Sequence, residues 1–176
     1  MMEPAFIITQ SRVLVELVKE NGAFPNNNTL PYLLYKSVLE LPQKKAGTVI
    51  KEIFASHGWT NAWKNGIYPY HHYHSITHEV LGVYRGTCDV MLGAEDDRVV
   101  HLEKGDVLVI PAGVAHRNVG SSEDFGCVGA YPNGMEFDMN YGRPDERPQT
   151  DKNIQQVPLP ATDPVYGQGP LQDYWK

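Results

Sequence analysis

From Trp59 to Tyr131 apolar and polar positions change places in short runs: TNAWKNGIYPYHHYH, EVLGVYR, TCDVML, DRVVHL, DVLVIP and FGCVGAY, punctuated by Gly, Asp and Pro. Runs of this length and even spacing, rich in β-branched and aromatic residues, predict the strands of a sandwich or barrel. Upstream, Val49, Ile50, Ile53 and Phe54 recur at helical spacing, which predicts a helix between Ala46 and His57 with Gly58 as its stop signal. Residues 5–41 mix short apolar stretches around the turn-forming cluster Pro25-Asn26-Asn27-Asn28, just before the apolar segment Leu30 to Leu34. That pattern predicts strands or extended arms about a loop. After Tyr131, seven of the 13 prolines fall in the last 45 residues, which argues against a long continuous helix there. Tyr166, Tyr174 and Trp175 punctuate this tail, so an extended Pro-rich wrap anchored by rings is expected. The chain reads as one all-β domain in three stretches. Residues 1–58 form an N-terminal arm with strands and one short helix, 59–131 the barrel core, and 132–176 a C-terminal segment packed on it.

Composition narrows the class. A chain of 176 residues that is 41% hydrophobic and 20% charged is ordinary for a globular protein, and at that length folding buries roughly 70% of the unfolded surface. With 15 Lys plus Arg against 21 Asp plus Glu, the formal charge of -6 offers no electrostatic footprint for a nucleic-acid backbone or an anionic membrane. No run reaches the length of a spanning helix, and the beginning, Met1-Met2-Glu3, has neither a basic leader nor a cleavage signature. Cys88 and Cys127 lie far apart and outside any CxxC arrangement, which reads as reduced thiols. A cytoplasmic protein with no nucleic-acid or membrane partner is expected.

The chemistry is concentrated in histidine. Four of the seven histidines stand in HHYHSITH, residues 71–78. On a strand, alternate residues share a face, so His72 and His74 point together while His71 and Tyr73 point away. Across the turn through Ser75 to Thr77, Glu79 can supply an anionic ligand, and His116, after Pro111-Ala112-Gly113, a fourth. Three imidazoles and a carboxylate suit one divalent transition metal per chain, Fe, Mn, Ni, Zn or Cu, because these ions accept nitrogen and oxygen donors together. The lack of cysteine in the cluster argues against a closed structural zinc site, and four protein ligands on an octahedral ion leave two positions open.

Here the chain resembles the cupin superfamily. Gly66, His72, His74, Glu79 and Gly86 satisfy the first cupin motif at every spacing; Gly105, Pro111, Gly113 and His116 match the second, in which Gly120 stands where the family has Asn. Asn118, with the same strand parity as His116, is a candidate for that inward polar role. The wider runs NGIY, HHYHSITHEVLGV, GAYP and PLPATDPVYG resemble the functionally uncharacterised YjlB-like cupins from about Pro25 almost to the C-terminus. The resemblance implies a small antiparallel jelly-roll barrel, a metal held inside one end by His72, His74, Glu79 and His116, and dimerisation through barrel edges. The apolar positions of Ile7 to Val18 are the candidate surface for such a homodimer.

The leading functional expectation is a metalloenzyme acting on a small oxygenated organic metabolite, as a dioxygenase or as a non-redox isomerase, cyclase, dehydratase or decarboxylase. With Glu79 on the metal, the base comes from Tyr68, Tyr70 or His78. Tyr68 and Tyr70 share the parity of the ligand histidines and are expected at the pocket mouth, Leu81 and Val83 in its wall, and Asn118 beside it. His78 is otherwise placed on the outer face or behind the ligands, and Arg85 in solvent near the Gly86 turn. The alternative is a non-catalytic cupin that binds or senses a small metabolite.

Overall fold

The protein is described by a computed structural model covering residues 8–9, 11–94 and 98–176. The Ala5 end of the first apolar stretch and Ile7 of the candidate dimer surface lie outside the described residues.

Side-chain alternation sorts the strands into layers. Six antiparallel strands form one sheet in the order β1 (Arg12–Glu16), β2 (Tyr32–Lys36), β7 (Val107–Ile110), β4 (Glu79–Arg85), β9 (Gly126–Pro132) and β3 (Trp59–Asn65). Three more, β6 (Val99–Glu103), β5 (Thr87–Leu92) and β8 (His116–Ser121), form the facing sheet. One face of the larger sheet sends Leu34, Leu81, Val83, Leu108 and Ile110 into the barrel against Val90, Leu92 and Leu102. The other face sends Leu33, Tyr35, Val80, Val107 and Val109 outward, where Ile50 and Phe54 of helix α1 (Ala46–Ser56) and Val165, Leu171 and Trp175 of the tail cover them. Burial on both faces explains why YLLY, VLVI and the whole of β9 are almost unbroken apolar runs and not alternating ones. Gly82 lets α1 come close, since a Cβ there would lie 2.7 Å from Ile50 Cγ2.

Helix α1 occupies the expected span, and Gly58 just beyond it is left-handed, with φ of 78°. The tail departs from a purely extended wrap. It contains α2 (Gln149–Gln156) and α3 (Pro170–Tyr174), short helices that start directly after Pro148 and at Pro170, positions where a proline's missing N–H costs nothing. Its anchor is Asp163, fully buried, whose carboxylate accepts the Tyr35 hydroxyl and the N–H groups of Val165, Tyr166 and Leu171. Trp175 is buried and donates Nε1–H to the Pro31 carbonyl, and the Tyr166 hydroxyl donates to the Thr9 carbonyl. Tyr174, by contrast, is about half exposed and is no anchor. Among the described residues no helix is long and apolar enough to cross a membrane.

Strand β3 carries an irregularity that matters for the site. Thr60 pairs with Tyr131 and Trp63 with Gly129, so two residues of β3 oppose Ala130 alone. A bulge reverses side-chain parity. Trp59 therefore packs in the outer layer while Trp63, four residues on, turns into the barrel.

Candidate metal centre

The HHYH segment is not a regular strand; it is held extended by single bridges on its two sides. His72 and His116 exchange reciprocal backbone hydrogen bonds of 3.2 and 2.9 Å, and Tyr73 and Asn140 do the same at 2.9 and 3.1 Å. Gly113 N–H then donates to the His74 carbonyl at 2.7 Å. These bonds bring three imidazoles together, with one nitrogen of each lying within 4.8 Å of the others, all buried. Glu79, at the start of β4, faces them: its carboxylate oxygens lie 3.5 Å from His74 Nε2 and 3.4 Å from His116 Nε2.

The ring nitrogens on the far side are all committed. His72 Nδ1 bonds the Tyr70 carbonyl at 3.1 Å, His74 Nδ1 the Asp138 carbonyl at 2.6 Å and His116 Nδ1 the Val114 carbonyl at 3.0 Å. A carbonyl only accepts, so each Nδ1 carries a proton and each Nε2 is turned to the centre, where a neutral ring presents it as a lone pair. Burial and the neighbouring His116 push His72 down to about 3, so it is neutral at physiological pH. Burial works against the charged forms of Glu79 and His74 as well, yet their mutual attraction outweighs it: Glu79 is held far below the carboxylate range and His74 is raised. Three imidazole lone pairs and an ionised carboxylate converging in a buried pocket fit a divalent transition metal.

The loop that presents His116 is braced from three directions. Asn26, in the turn-forming cluster, accepts Ala115 N–H and donates to the Gly93 carbonyl, and Asn27 donates to the Ala112 carbonyl. His78 Nδ1 accepts Ala112 N–H at 2.9 Å. His78 is thus not brought to the ligand cavity as a base: opposite in parity to Glu79, it lies buried in the tail layer with its ring centroid 4.6 Å from that of Trp175. Burial pushes it down to about 4 and keeps it neutral.

A cavity of about 490 Å³ opens onto the metal centre. Tyr68 and Leu81 line it as expected. Tyr70 does not; the chain bends at Pro69 and Tyr70, and the Tyr70 ring stacks on the outside of Tyr68 at 5.0 Å, edge-on to His72 and against Tyr141, with nearly half its surface in solvent. Val83 sits below the cavity in the barrel core, opposite Cys127. Asn118 turns its amide to Ser121 Oγ and Gly120 N, and only its backbone serves the site, donating N–H to the Tyr68 carbonyl at 2.9 Å. Arg85 is exposed and bonds the Asp124 carbonyl.

Trp63, Tyr131, Phe137 and Met139 are among the lining residues that the sequence pattern did not place in the pocket. Trp63 donates Nε1–H to the Tyr131 hydroxyl at 2.8 Å, and Tyr131 turns that hydroxyl to Glu79, whose charge together with burial drives the phenol's pKa far up and keeps it a donor. Gly129 makes the contact possible, since a Cβ there would stand 2.2 Å from the Trp63 ring. Phe137 and Met139 come from the segment after β9, with Phe137 stacked on Tyr131 and edge-on to His74. Asp138 between them clamps that segment: its carboxylate accepts Ser75 N–H at 2.7 Å, the Ser75 hydroxyl and Asn140 Nδ2–H at 2.8 Å.

Two facing antiparallel sheets with three histidines and a glutamate gathered inside one end define the class: the chain belongs to the cupin family, whose model, described as Cupin, matches residues 54–133. The chain is similar to the uncharacterized protein YjlB of Bacillus subtilis (strain 168), 41% identical over 157 residues, 89% of this chain and 92% of that protein. Among solved structures, a vicilin from Solanum melongena is 26% identical with a TM-score of 0.35, and the match covers 46% of this chain but only 24% of the vicilin chain. Acireductone dioxygenase from Bacillus anthracis, with a cadmium ion in its active center, is 18% identical over 53% of this chain and 63% of its own, with a TM-score of 0.38. A mutant of oxalate decarboxylase OxdC from Bacillus subtilis is 16% identical over 64% of this chain and 24% of its own, with a TM-score of 0.34.

Proposed function

We propose that this protein is a metal-dependent enzyme that acts on a small oxygenated organic molecule, holding one divalent transition ion through Nε2 of His72, His74 and His116 and the Glu79 carboxylate. The observation that carries the reading is the commitment of all three Nδ1 atoms to backbone carbonyls, which turns the three Nε2 atoms inward, beside the Glu79 carboxylate and a cavity with an opening. A structural polar cluster has no need of three parallel tautomers. When bound, the ion supplies Lewis acidity or oxygen activation to a substrate oxygen. The chain's own residues do the rest. Tyr131 holds a phenol proton at the edge of the cavity, as a donor and not a base, Trp63 fixes its direction, and Phe137 and Leu81 exclude water from the reacting end. Tyr68, half exposed at the mouth, offers a second phenol where a substrate enters.

Metal content of protein purified without chelator tests the reading, followed by an oxygen-uptake and turnover screen of diketones, catechols and keto acids. Stoichiometric metal lost in the His72→Ala, His74→Ala double variant is expected. Full retention of metal in that variant overturns the ligand assignment, and selective tight binding with no turnover of any compound replaces the enzyme with a metabolite binder.

A further inference from the structure

The charges around the cavity say what kind of molecule it takes. Among the described residues lining it, the only formally charged side chains besides the ligand histidines are Glu79 and Lys64. Lys64 does not face inward. Its Cδ lies against Gly47 of α1, so that a Cβ on Gly47 would be 2.9 Å from it, and α1 covers the opposite face of the sheet. The Lys64 backbone lines the cavity while its ammonium is on the outside. Arg117 follows His116 with opposite strand parity, and Arg143 lies over the Tyr141 ring; neither is part of the lining.

The interior therefore contains no side-chain cation. A divalent ion beside ionised Glu79 leaves a single net positive charge, which one anionic head neutralises. A second anionic group nearer the mouth would meet Trp63, Ile67, Leu81, Phe137 and Met139 and the uncharged donors of Asn61, Asn65, Tyr68 and Tyr131, with no cation to pair it, and an unpaired charge in such surroundings is disfavoured. The same walls favour an apolar or aromatic body. The volume of about 490 Å³ lies in the lower half of the range of about 300–1,000 Å³ usual for small-molecule pockets, room for a chelating head and a small body such as one ring.

Resting on the reading of this centre as a metal site for oxygenated organic molecules, we propose that its substrates are monoanionic chelators: a head with two oxygens and at most one negative charge, joined to an uncharged apolar or aromatic body of about one ring. Dicarboxylates and phosphorylated compounds are excluded by the same charge balance.

The test uses the full-length protein loaded with Co(II) under nitrogen and three hydroxamates that share one chelating head: acetohydroxamate, benzohydroxamate and 4-carboxybenzohydroxamate. Calorimetry measures affinity, and the visible d–d bands report whether the head has reached the metal. Benzohydroxamate is expected to bind at least about tenfold tighter than acetohydroxamate from burial of its ring. The added carboxylate is expected to cancel that gain by about tenfold or more. In Phe137→Ala the ratio of benzohydroxamate to acetohydroxamate affinity should shrink, whatever the variant does to the shared head; that result places the ring in this cavity. If the d–d bands shift on binding yet the three probes bind equally, or the carboxylated one binds best, the substrate class is wrong while the metal centre stands. If Co(II) does not bind, both readings fall.

Discussion

Asp138 lies outside both histidine-bearing motifs, yet the geometry makes metal affinity depend on it. Its carbonyl accepts His74 Nδ1–H at 2.6 Å, and its carboxylate ties the same residue to Ser75 N–H, the Ser75 hydroxyl and Asn140. These bonds hold the carboxyl below its ordinary pKa against the upward pull of burial. Asp138→Ala removes three hydrogen bonds to a charged acceptor, each contributing about 1.5–3 kcal/mol in isolation. They share one half-buried carboxylate, and water replaces part of them, so a net loss of about 2–3 kcal/mol is expected. For a domain of this size that lowers Tm by about 4–10 °C. The more telling effect is on the metal. With the 136–140 segment released, the Asp138 carbonyl no longer fixes the His74 ring, and loss of a partner that orients a ligand typically weakens metal binding 10–100-fold. The assay is competitive titration with a chromophoric chelator at 20 °C, well below the unfolding range of the variant. Ser75→Ala, which removes only the hydroxyl, should fall between wild type and Asp138→Ala on both scales. A variant with lowered Tm but wild-type metal affinity would show that the clamp stabilises the tail without orienting His74, and the reasoning would fail.

Tyr131→Phe deprives Trp63 Nε1–H of its acceptor and Glu79 of its phenol neighbour, so it should cost about 1–2 kcal/mol and lower turnover more than substrate affinity; unchanged turnover would remove Tyr131 from the proton chemistry. Gly129→Ala puts a methyl 2.2 Å from the Trp63 ring, and an overpacking loss of about 1–3 kcal/mol should appear in thermal unfolding, with an unaltered Tm counting against the packing described. His72 and His78 are folded with pKa pushed down to about 3 and about 4, whereas in the unfolded chain they titrate near ~6.5. Between pH 6.5 and 4 the unfolded state therefore binds more protons, so metal-free protein should lose stability steadily as pH falls through that window, offset in part by the raised His74. Urea midpoints at pH 7, 5.5 and 4 check this, and a flat profile would refute the buried neutral rings.

The clustering of His72, His74, His116 and Glu79 was legible because it depends on order and spacing. Period-two alternation puts His72 and His74 on one side, and the extended backbone required is supplied by two isolated bridges as well as it would be by a strand. The limits of that argument appear one turn earlier, where Pro69 interrupts the alternation and Tyr70 leaves the cavity that Tyr68 lines. Trp63 was hidden for a related reason. Its parity with Trp59 holds only on a regular strand, and the bulge between Thr60 and Trp63 reverses it; no single-sequence pattern marks where two residues will oppose one. Asp138, Phe137, Asn26 and Asn27 were invisible for another. The contacts by which they reach the site, to Ser75 and His74 from the tail and to Ala112 and Ala115 from the loop, span 63 to 89 residues of sequence, and a turn-rich cluster such as Pro25-Asn26-Asn27-Asn28 reads as a surface loop whether or not its amides brace a distant backbone. What local pattern recovers, then, is the set of groups gathered at the proposed metal centre. What it leaves out is the set that aims them, and that set belongs to the N-terminal loop and the tail. A variant that trims either segment should retain all four ligands and still lose the geometry that lets them act together.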